Sequence, residues 1–263
     1  MEHTQISKEF ILDEQISKEF ILDEAFIRLF PDVAIGVLVA GGIRKAEETR
    51  EEEAAEIRAF LESANREAKK FLTSEVISEN KIPAIWRAAY KKFPTKKGAR
   101  CSIEALLKRV LHDNPVSSIA PTVDITNGIS LKYGFPIGAE NIDAFCGDLH
   151  LGVMKGGEAF LPLGADETDP PLAGEVAYYD EEGVVCRCWN WRDGQRTAVT
   201  DDTVNEFIIM ECIEPERVGE LKEAMEELAG LLSRYTKATI QASGIVTARA
   251  PKMLICGSPR QTE

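Results

Sequence analysis

Residues 118 to 143 read Ser118-Ile-Ala-Pro-Thr-Val-Asp-Ile-Thr-Asn-Gly-Ile-Ser-Leu-Lys-Tyr-Gly-Phe-Pro-Ile-Gly-Ala-Glu-Asn-Ile-Asp143. The run from Asp124 to Asn127, followed by glycine, is typical of a strand that ends in an Asn-Gly turn. The segment 134–138 has a glycine at each end and indicates a second tight turn. Strand ends on a rigid sheet commonly present polar groups to a ligand. We therefore expect Asn127 and the neighbouring turn to border a pocket.

A second polar block follows at some distance. It reads Val185-Cys-Arg-Cys-Trp-Asn-Trp-Arg-Asp-Gly-Gln-Arg-Thr-Ala-Val-Thr-Asp-Asp-Thr203. Two tryptophans flank Asn190, and a loop with two arginines comes directly after them. If the strand ends near Trp191, these side chains gather at one strand end. The alternative is a surface turn in which Arg192 and Asp193 form an exposed ion pair of little energetic value.

The two blocks, in this order, resemble the tRNA-binding and editing module of the phenylalanyl-tRNA synthetase β subunit, the B3/B4 domain. That module has a similar Val-Asp-(Val/Ile)-Thr-Asn run, then Gly-x-Pro and an acidic residue, then a Gly-Gly-Glu loop with an Asp-x-Thr ending. The resemblance covers roughly residues 85 to 235, without any legible aminoacylation motif. It implies an α+β fold with a mostly antiparallel or mixed β-sheet core and flanking helices, as in freestanding proteins of this kind.

The resemblance also implies an activity, the hydrolysis in trans of the ester that links an amino acid to a mischarged tRNA. An ester is already activated, so a well-positioned water can supply much of the rate enhancement. In this reading amides hold the water and guanidiniums stabilise the developing oxyanion. The implied catalytic residues are Asn127, Arg192, Gln195 and Arg196. The implied substrate-binding residues are Gly138, Glu140, Asn190, Asp193 and Thr197.

Two departures from the module bear on this activity. A histidine of its pocket corresponds to Gly138 here, and a glutamate corresponds to about Gln195. The module's specificity for tyrosine is therefore not implied. One alternative is a tRNA-binding or RNA-binding module without catalysis, and another is an amino-acid-binding sensor. Ester hydrolysis would separate the first reading from the second, and a strip of basic residues separates both from the sensor, which has no need of one.

The charge distribution favours an RNA partner. The chain has a formal net charge of −13, yet from Arg87 to Arg109 there are eight basic residues and one acid, Glu104. Such a basic strip on an acidic chain can dock RNA, whose phosphates are neutralised by lysine and arginine. The alternative is an ordinary solvated face. The expected RNA contacts, with tRNA and not DNA as the partner, are Arg87, Lys91, Lys92, Lys96, Lys97 and Arg100.

Composition places the chain among cytoplasmic proteins. The hydrophobic fraction of 44% allows a sizeable core. The longest apolar run, 33–42, is too short to cross a bilayer and predicts a buried strand. The six cysteines are expected to be thiols. The Cys-x-Cys spacing of Cys186 and Cys188 does not suit zinc, so neither a metal nor a cofactor is expected.

The expected organisation has three parts. Residues 1–24 hold an exact duplication, Gln5–Glu14 repeated as Gln15–Glu24, whose second copy is expected to form a strand. Residues 25–235 are expected to form one B3/B4-like domain, and 236–263 a C-terminal extension. Apolar spacing predicts helices in 45–72, 84–92, 103–111 and 216–235. It predicts a hairpin in 149–163 and strands at 176–179, 184–191, 207–212 and 240–248.

Overall fold

The structure, a computed structural model, describes residues 17–257. Within that range ten strands and six α-helices alternate irregularly along the chain. They are β1 Lys18–Leu22, α1 Glu24–Leu29, β2 Ala34–Gly41, α2 Glu51–Glu67, α3 Lys81–Tyr90, α4 Ser102–Leu111, α5 Pro121–Tyr133, β3 Ile137–Asn141, β4 Leu149–Val153, β5 Val176–Tyr179, β6 Val184–Arg187, β7 Arg192–Asp193, β8 Asn205–Cys212, α6 Val218–Thr236, β9 Thr239–Thr247 and β10 Lys252–Cys256.

The strands form two sheets. One has the order β10-β1-β4-β5-β6-β7, and the other has the order β3-β8-β2-β9. Among the paired strands of residues 17–257, only β1 and β4 run parallel. The predicted α+β architecture, with mixed and antiparallel sheets and flanking helices, is confirmed.

Strand β2 lies at the centre of the fold, and all eight of its residues are buried. One face of its sheet packs on the other sheet, where Val37 contacts a cluster that includes Phe20 and Phe207. The opposite face packs under α2, α5 and α6, where Leu38 and Ile208 belong to a second cluster. A strand covered on both faces is apolar throughout, which explains the unbroken run seen in the sequence.

The prediction of a strand at 124–127 is wrong, because these residues lie within α5. Pro121 stands at the start of the helix, and Gly134 ends it with a φ of 70°. Gly128 does not form a turn here. A Cβ at this position would lie 2.3 Å from Cε1 of Phe60 on α2, so glycine allows the two helices to approach.

Other local predictions also needed correction. Residues 149–163 do not form a hairpin, since β4 pairs with β5. The strand predicted over 184–191 ends at Arg187 because Cys188 and Trp189 adopt left-handed backbone angles, with φ of 47° and 62°. The helix predicted in 45–72 is confined to Glu51–Glu67, with a short 3-10 helix after it.

The two ends of the chain contribute strands to the sheets. Strand β1, from the second copy of the duplication, pairs with β10 and β4. The first copy, Gln5–Glu14, lies outside the described residues. The segment expected as a C-terminal extension supplies β9, which pairs with β2, and β10.

Candidate functional site

A cavity of 430 Å³ lies beside β3, the edge strand of the helix-covered sheet. Helix α5 forms one wall with Thr122, Val123, Thr126 and Asn127. These four residues share one helical face, since positions four apart lie one turn above another. The same helix buries Ile125 on its other side, in the core. The Val-Asp-Ile-Thr-Asn run therefore contributes side chains both to the core and to the wall of the cavity.

Five of the nine predicted catalytic and substrate-binding residues line this cavity. They are Asn127, Gly138, Glu140, Asn190 and Asp193. The fold thus brings the two sequence blocks together at one cavity. The first block reaches it through helix α5 and the edge strand β3, and not through strand ends as the sequence predicted.

The other four predicted residues lie outside the cavity lining. Arg196 donates hydrogen bonds to the carbonyl of Ala144 at 2.7 Å and to the carboxylate of Asp180 at 2.6 Å. Arg192 is exposed, as is Gln195. Thr197 is fully buried. Arg196 therefore holds the loop in place, and its guanidinium is engaged away from the cavity.

Asn190 connects the walls of the site through its side-chain amide. Its Oδ1 accepts hydrogen bonds from the hydroxyl of Tyr90 at 2.9 Å and from the backbone N–H of Ser102 at 3.3 Å. Its Nδ2 donates to Glu211 at 3.2 Å. The left-handed turn immediately before Asn190 aims the side chain inward. The interpretation of this segment as a polar element presented to a pocket is consistent with this geometry.

Glu211 on β8 is a buried acid that the sequence analysis missed. Its carboxylate also accepts a hydrogen bond from the hydroxyl of Tyr178 at 2.9 Å. Burial raises the pKa of Glu211 to about 8, and these hydrogen bonds only partly offset that effect. The signal in the sequence was the alternation Phe207-x-Ile209-x-Glu211, which puts a carboxylate on the face of β8 that otherwise belongs to the core.

Two further buried acids, Glu140 and Glu206, line the cavity. Burial raises the pKa of Glu140 well above its ordinary value, and the nearby Asp193 carboxyl adds to this effect. Burial likewise raises the pKa of Glu206 to about 7, although Thr122 beside it opposes the shift. Asp193 is accessible from the cavity but largely surrounded by protein, and this desolvation raises its pKa too.

The predicted RNA-binding residues divide into paired and unpaired groups. Arg87 forms a two-pronged ion pair with the buried Glu104, at 2.9 and 2.7 Å. Lys96 pairs with Asp169 at 2.6 Å. Lys92 donates to the carbonyl of Leu29. Three exposed cations form neither an ion pair nor a side-chain hydrogen bond with the described residues, namely Lys91, Lys97 and Arg100.

Part of this strip borders the site. Arg87, Lys91 and Arg100 line a second, smaller cavity of 360 Å³. That cavity also contains Cys101, which is adjacent in sequence to Ser102 of the larger one. The surface next to the acidic cavity is therefore basic.

Comparison with known proteins identifies the family. The B3/4 domain family matches residues 85–248, the region that holds both sequence blocks and the whole cavity lining. The chain belongs to the B3/4 domain family. The predicted relationship is confirmed.

The chain is also similar to two other proteins. The chain is 27% identical over 114 residues to the "Phenylalanine--tRNA ligase beta subunit" of Methylococcus capsulatus (strain ATCC 33009 / NCIMB 11132 / Bath), a match that covers 43% of this chain and 14% of that protein. A crystal structure of an N-terminal fragment of the phenylalanyl-tRNA synthetase β subunit from Pyrococcus horikoshii is 14% identical. It aligns over 86% of this chain and 52% of its own, with a TM-score of 0.45. The chain spans only a small part of the synthetase subunit it matches.

Two features are absent from residues 17–257. No helix in that range is both long and apolar enough to cross a membrane. No three histidine, cysteine or acidic side chains in it are grouped so as to hold a metal ion.

Proposed function

We propose that this B3/4 protein binds tRNA and hydrolyses, in trans, the ester of an amino acid attached to the wrong tRNA. The observation that carries the proposal is the convergence of both family blocks on one cavity. Asn127 from the first block and Asn190 from the second line it together. The family membership supplies the link to tRNA, and the cavity supplies a place for the acyl group.

The proposed reaction needs a water, a carbonyl and a group that stabilises negative charge. Water attacks the carbonyl carbon, the bond to the ribose oxygen breaks, and that oxygen leaves with a proton as the tRNA hydroxyl. We assign Asn127 to holding the water or the carbonyl oxygen. The first turn of α5, where Thr122 and Val123 line the cavity, adds the positive end of a helix dipole. Such preorganised dipoles stabilise a developing oxyanion.

The remaining loop residues receive supporting roles in this proposal. Arg192 and Gln195 are exposed beside the cavity, and we assign them to contacts with the tRNA strand. Arg196 holds the loop through Asp180. In this reading Gln195 is not the counterpart of a catalytic carboxylate, and the acids of the site are Glu140, Asp193, Glu206 and Glu211.

The tRNA is proposed to approach over the basic surface next to the cavity. Lys91 and Arg100 are exposed there, and their ammonium and guanidinium groups suit phosphate oxygens. Contacts of this kind release counterions, so the binding should weaken as salt is added.

A second candidate is a tRNA-binding module without hydrolysis. The observation that favours it is Gly138, which stands where the synthetase module has a histidine and leaves no imidazole at that point of the lining. Both candidates predict tRNA binding, and they differ only in the fate of the ester.

The test is a panel of aminoacyl-tRNAs, both correct and mischarged, each carrying a radiolabelled amino acid. We expect the purified protein to release the amino acid from at least one mischarged tRNA much faster than buffer does. If tRNA binds but no ester in the panel is hydrolysed, the module without catalysis becomes the better account. If no tRNA binds, both candidates fail.

A further inference from the structure

Two carboxyls of the cavity are deeply buried, and each has a threonine hydroxyl beside it, Thr197 at Glu140 and Thr122 at Glu206. The exposed fractions of Glu140 and Glu206 are 4% and 1%. One oxygen of each, Oε2, has no hydrogen-bond partner among residues 17–257. A buried polar atom in this condition is unusual, because a desolvated carboxyl loses its hydration and gains nothing in return. Such groups are typical of sites whose partner is a ligand.

No protein cation neutralises these acids inside the cavity. The described lining contains a third acid, Asp193, and has no lysine, arginine or histidine. Arg196, whose charge acts on Glu140, is bound to Asp180.

The cations on the far side of Glu206 are also engaged. Arg44 and Lys45 line the adjoining cavity that Glu206 shares. Arg44 binds Glu53 and the carbonyl of Tyr235, and Lys45 binds Asp202. Burial favours the protonated form of both carboxyls, and a cation that enters the cavity from outside the chain is the partner that would let them ionise.

We propose that the acyl group taken by this cavity is that of a diamino acid, with a cationic amine on its side chain. The inference rests on the proposed deacylase function. The α-ammonium group of an aminoacyl ester supplies one cation, which satisfies one of the two carboxylates. The second, Glu206, lies on β8 opposite Asn141, so its carboxyl points to the other face of the sheet from that of Glu140, and we assign it to a second ammonium group.

The rest of the lining suits the methylene chain between two such amines. Apolar side chains from four different strands line the same cavity, and they are Ile137, Leu149, Val185 and Ile209. Straight methylene chains pack well against surfaces of this kind while the charged end meets a polar group.

The test uses two amides that the enzyme does not cleave. Lysinamide carries the side-chain amine, whereas norleucinamide has a side chain of similar length with a methyl end. We expect calorimetry at neutral pH to show at least tenfold tighter binding of lysinamide. Glu140→Gln and Glu206→Gln should each weaken lysinamide binding at least tenfold, and the double variant should abolish the preference. Equal affinities for the two amides in the wild type would overturn the proposal.

Controls separate binding from folding. Glu226→Gln, at an exposed position of α6, should leave both affinities unchanged. Thermal unfolding of each glutamine variant should show that the fold is retained, since glutamine has nearly the same shape as glutamate. A simple diamine, 1,5-diaminopentane, should bind more weakly than lysinamide because it lacks the carbonyl group. Equal binding of the diamine would contradict an acyl site.

The outcomes distinguish this inference from the proposed function. Hydrolysis of neutral aminoacyl-tRNAs together with equal affinity for the two amides would overturn the diamino assignment and support the deacylase. Selective lysinamide binding without hydrolysis of any ester would overturn the deacylase and support the cation specificity of the cavity.

Discussion

At the scale of single residues, the site depends on one amide and one acid that meet in the core. Asn190 links Tyr90, Ser102 and Glu211 through three hydrogen bonds. Because Glu211 is buried, its carboxyl is expected to hold a proton well into the neutral range. A protonated carboxyl avoids the cost of an unpaired buried charge.

The first prediction concerns the pH dependence of stability. The pKa of Glu211 is about 8 in the folded protein, against 4.5 as its ordinary value. Between these values the folded state binds a proton that the unfolded state lacks, so stability falls as pH rises toward 8. The wild type should therefore lose unfolding free energy between pH 5 and pH 8. The variant Glu211→Gln should lose roughly 3 kcal/mol less over the same range. Urea denaturation of both proteins at several pH values measures this difference.

The readout for this variant is the slope with pH and not the absolute stability, because the glutamine amide can disturb the bonds to Tyr178 and Asn190. The exposed control Glu226→Gln should leave the slope unchanged. A slope in Glu211→Gln equal to that of the wild type would mean that Glu211 is ionised in the folded state.

At the scale of elements, α5 carries the site because it is packed closely on α2. Gly128 is the point of contact between the helices, where Phe60 fills the space that a side chain would occupy. In the six-stranded sheet, Arg187 is the last residue of β6. Its fully buried guanidinium pairs with Glu175 at 2.7 Å and with Asp169 at 2.6 Å. This buried pair holds the last residue of β6 just before the turn to Asn190.

The second prediction is that Gly128→Ala destabilises the protein. Alanine normally favours a helix over glycine by about 1 kcal/mol. Here the new methyl would meet the Phe60 ring at 2.3 Å, and overpacking of this kind costs about 1–3 kcal/mol. The matched control is Gly230→Ala in α6, where the new methyl has no neighbour within 4 Å among the described residues. Thermal melts should show a fall in Tm for the first and no fall for the second. A gain in Tm for both would refute the packing argument.

The elements that the sequence could predict are those with an unambiguous apolar period. The buried strand β2, the strand Val176–Tyr179 and the long helix α6 were all predicted correctly in position. Helix α5 was not, because tertiary contact with α2, and not a turn, is the reason for its glycine. Local composition cannot distinguish these two uses of glycine.

The residues of the candidate site could likewise be predicted from the sequence only in part. Asn127, Gly138, Glu140, Asn190 and Asp193 could be named because they lie in the two blocks that resemble the synthetase module. Glu211 lies within the strand predicted at 207–212 and Glu206 directly before it, and the two side chains point to opposite faces of β8, of which only Glu206 lines the cavity. That information comes from the registers of β8 against β3 and β2.

At the scale of the whole molecule, an acidic chain presents a local basic surface beside an acidic cavity. The net charge of −13 opposes nucleic-acid binding at long range. Lys91 and Arg100 are nevertheless exposed beside the cavity and free of ion pairs within the described part of the chain. Short-range phosphate contacts by such residues are the physical basis of the proposed tRNA orientation.

The third prediction tests that surface. The double variant Lys91→Ala/Arg100→Ala should weaken tRNA binding and should reduce the dependence of affinity on salt, by a slope of about 1 for each lost phosphate contact. The matched control, Lys222→Ala/Arg249→Ala, removes the same charges at exposed positions on α6 and beyond β9. Filter binding at several salt concentrations measures both. Equal effects in the two double variants would show that net charge alone, and not this surface, governs binding.

The central claim is that the cavity beside Asn127 hydrolyses the ester of an aminoacyl-tRNA. The most direct test is the single-turnover rate of amino-acid release by wild type and by Asn127→Ala, on the best substrate of the panel. Loss of one such group typically costs about 10²–10³ in rate, so we predict a fall of at least tenfold with tRNA affinity nearly unchanged. An Asn127→Ala protein that releases the amino acid as fast as the wild type would contradict the account.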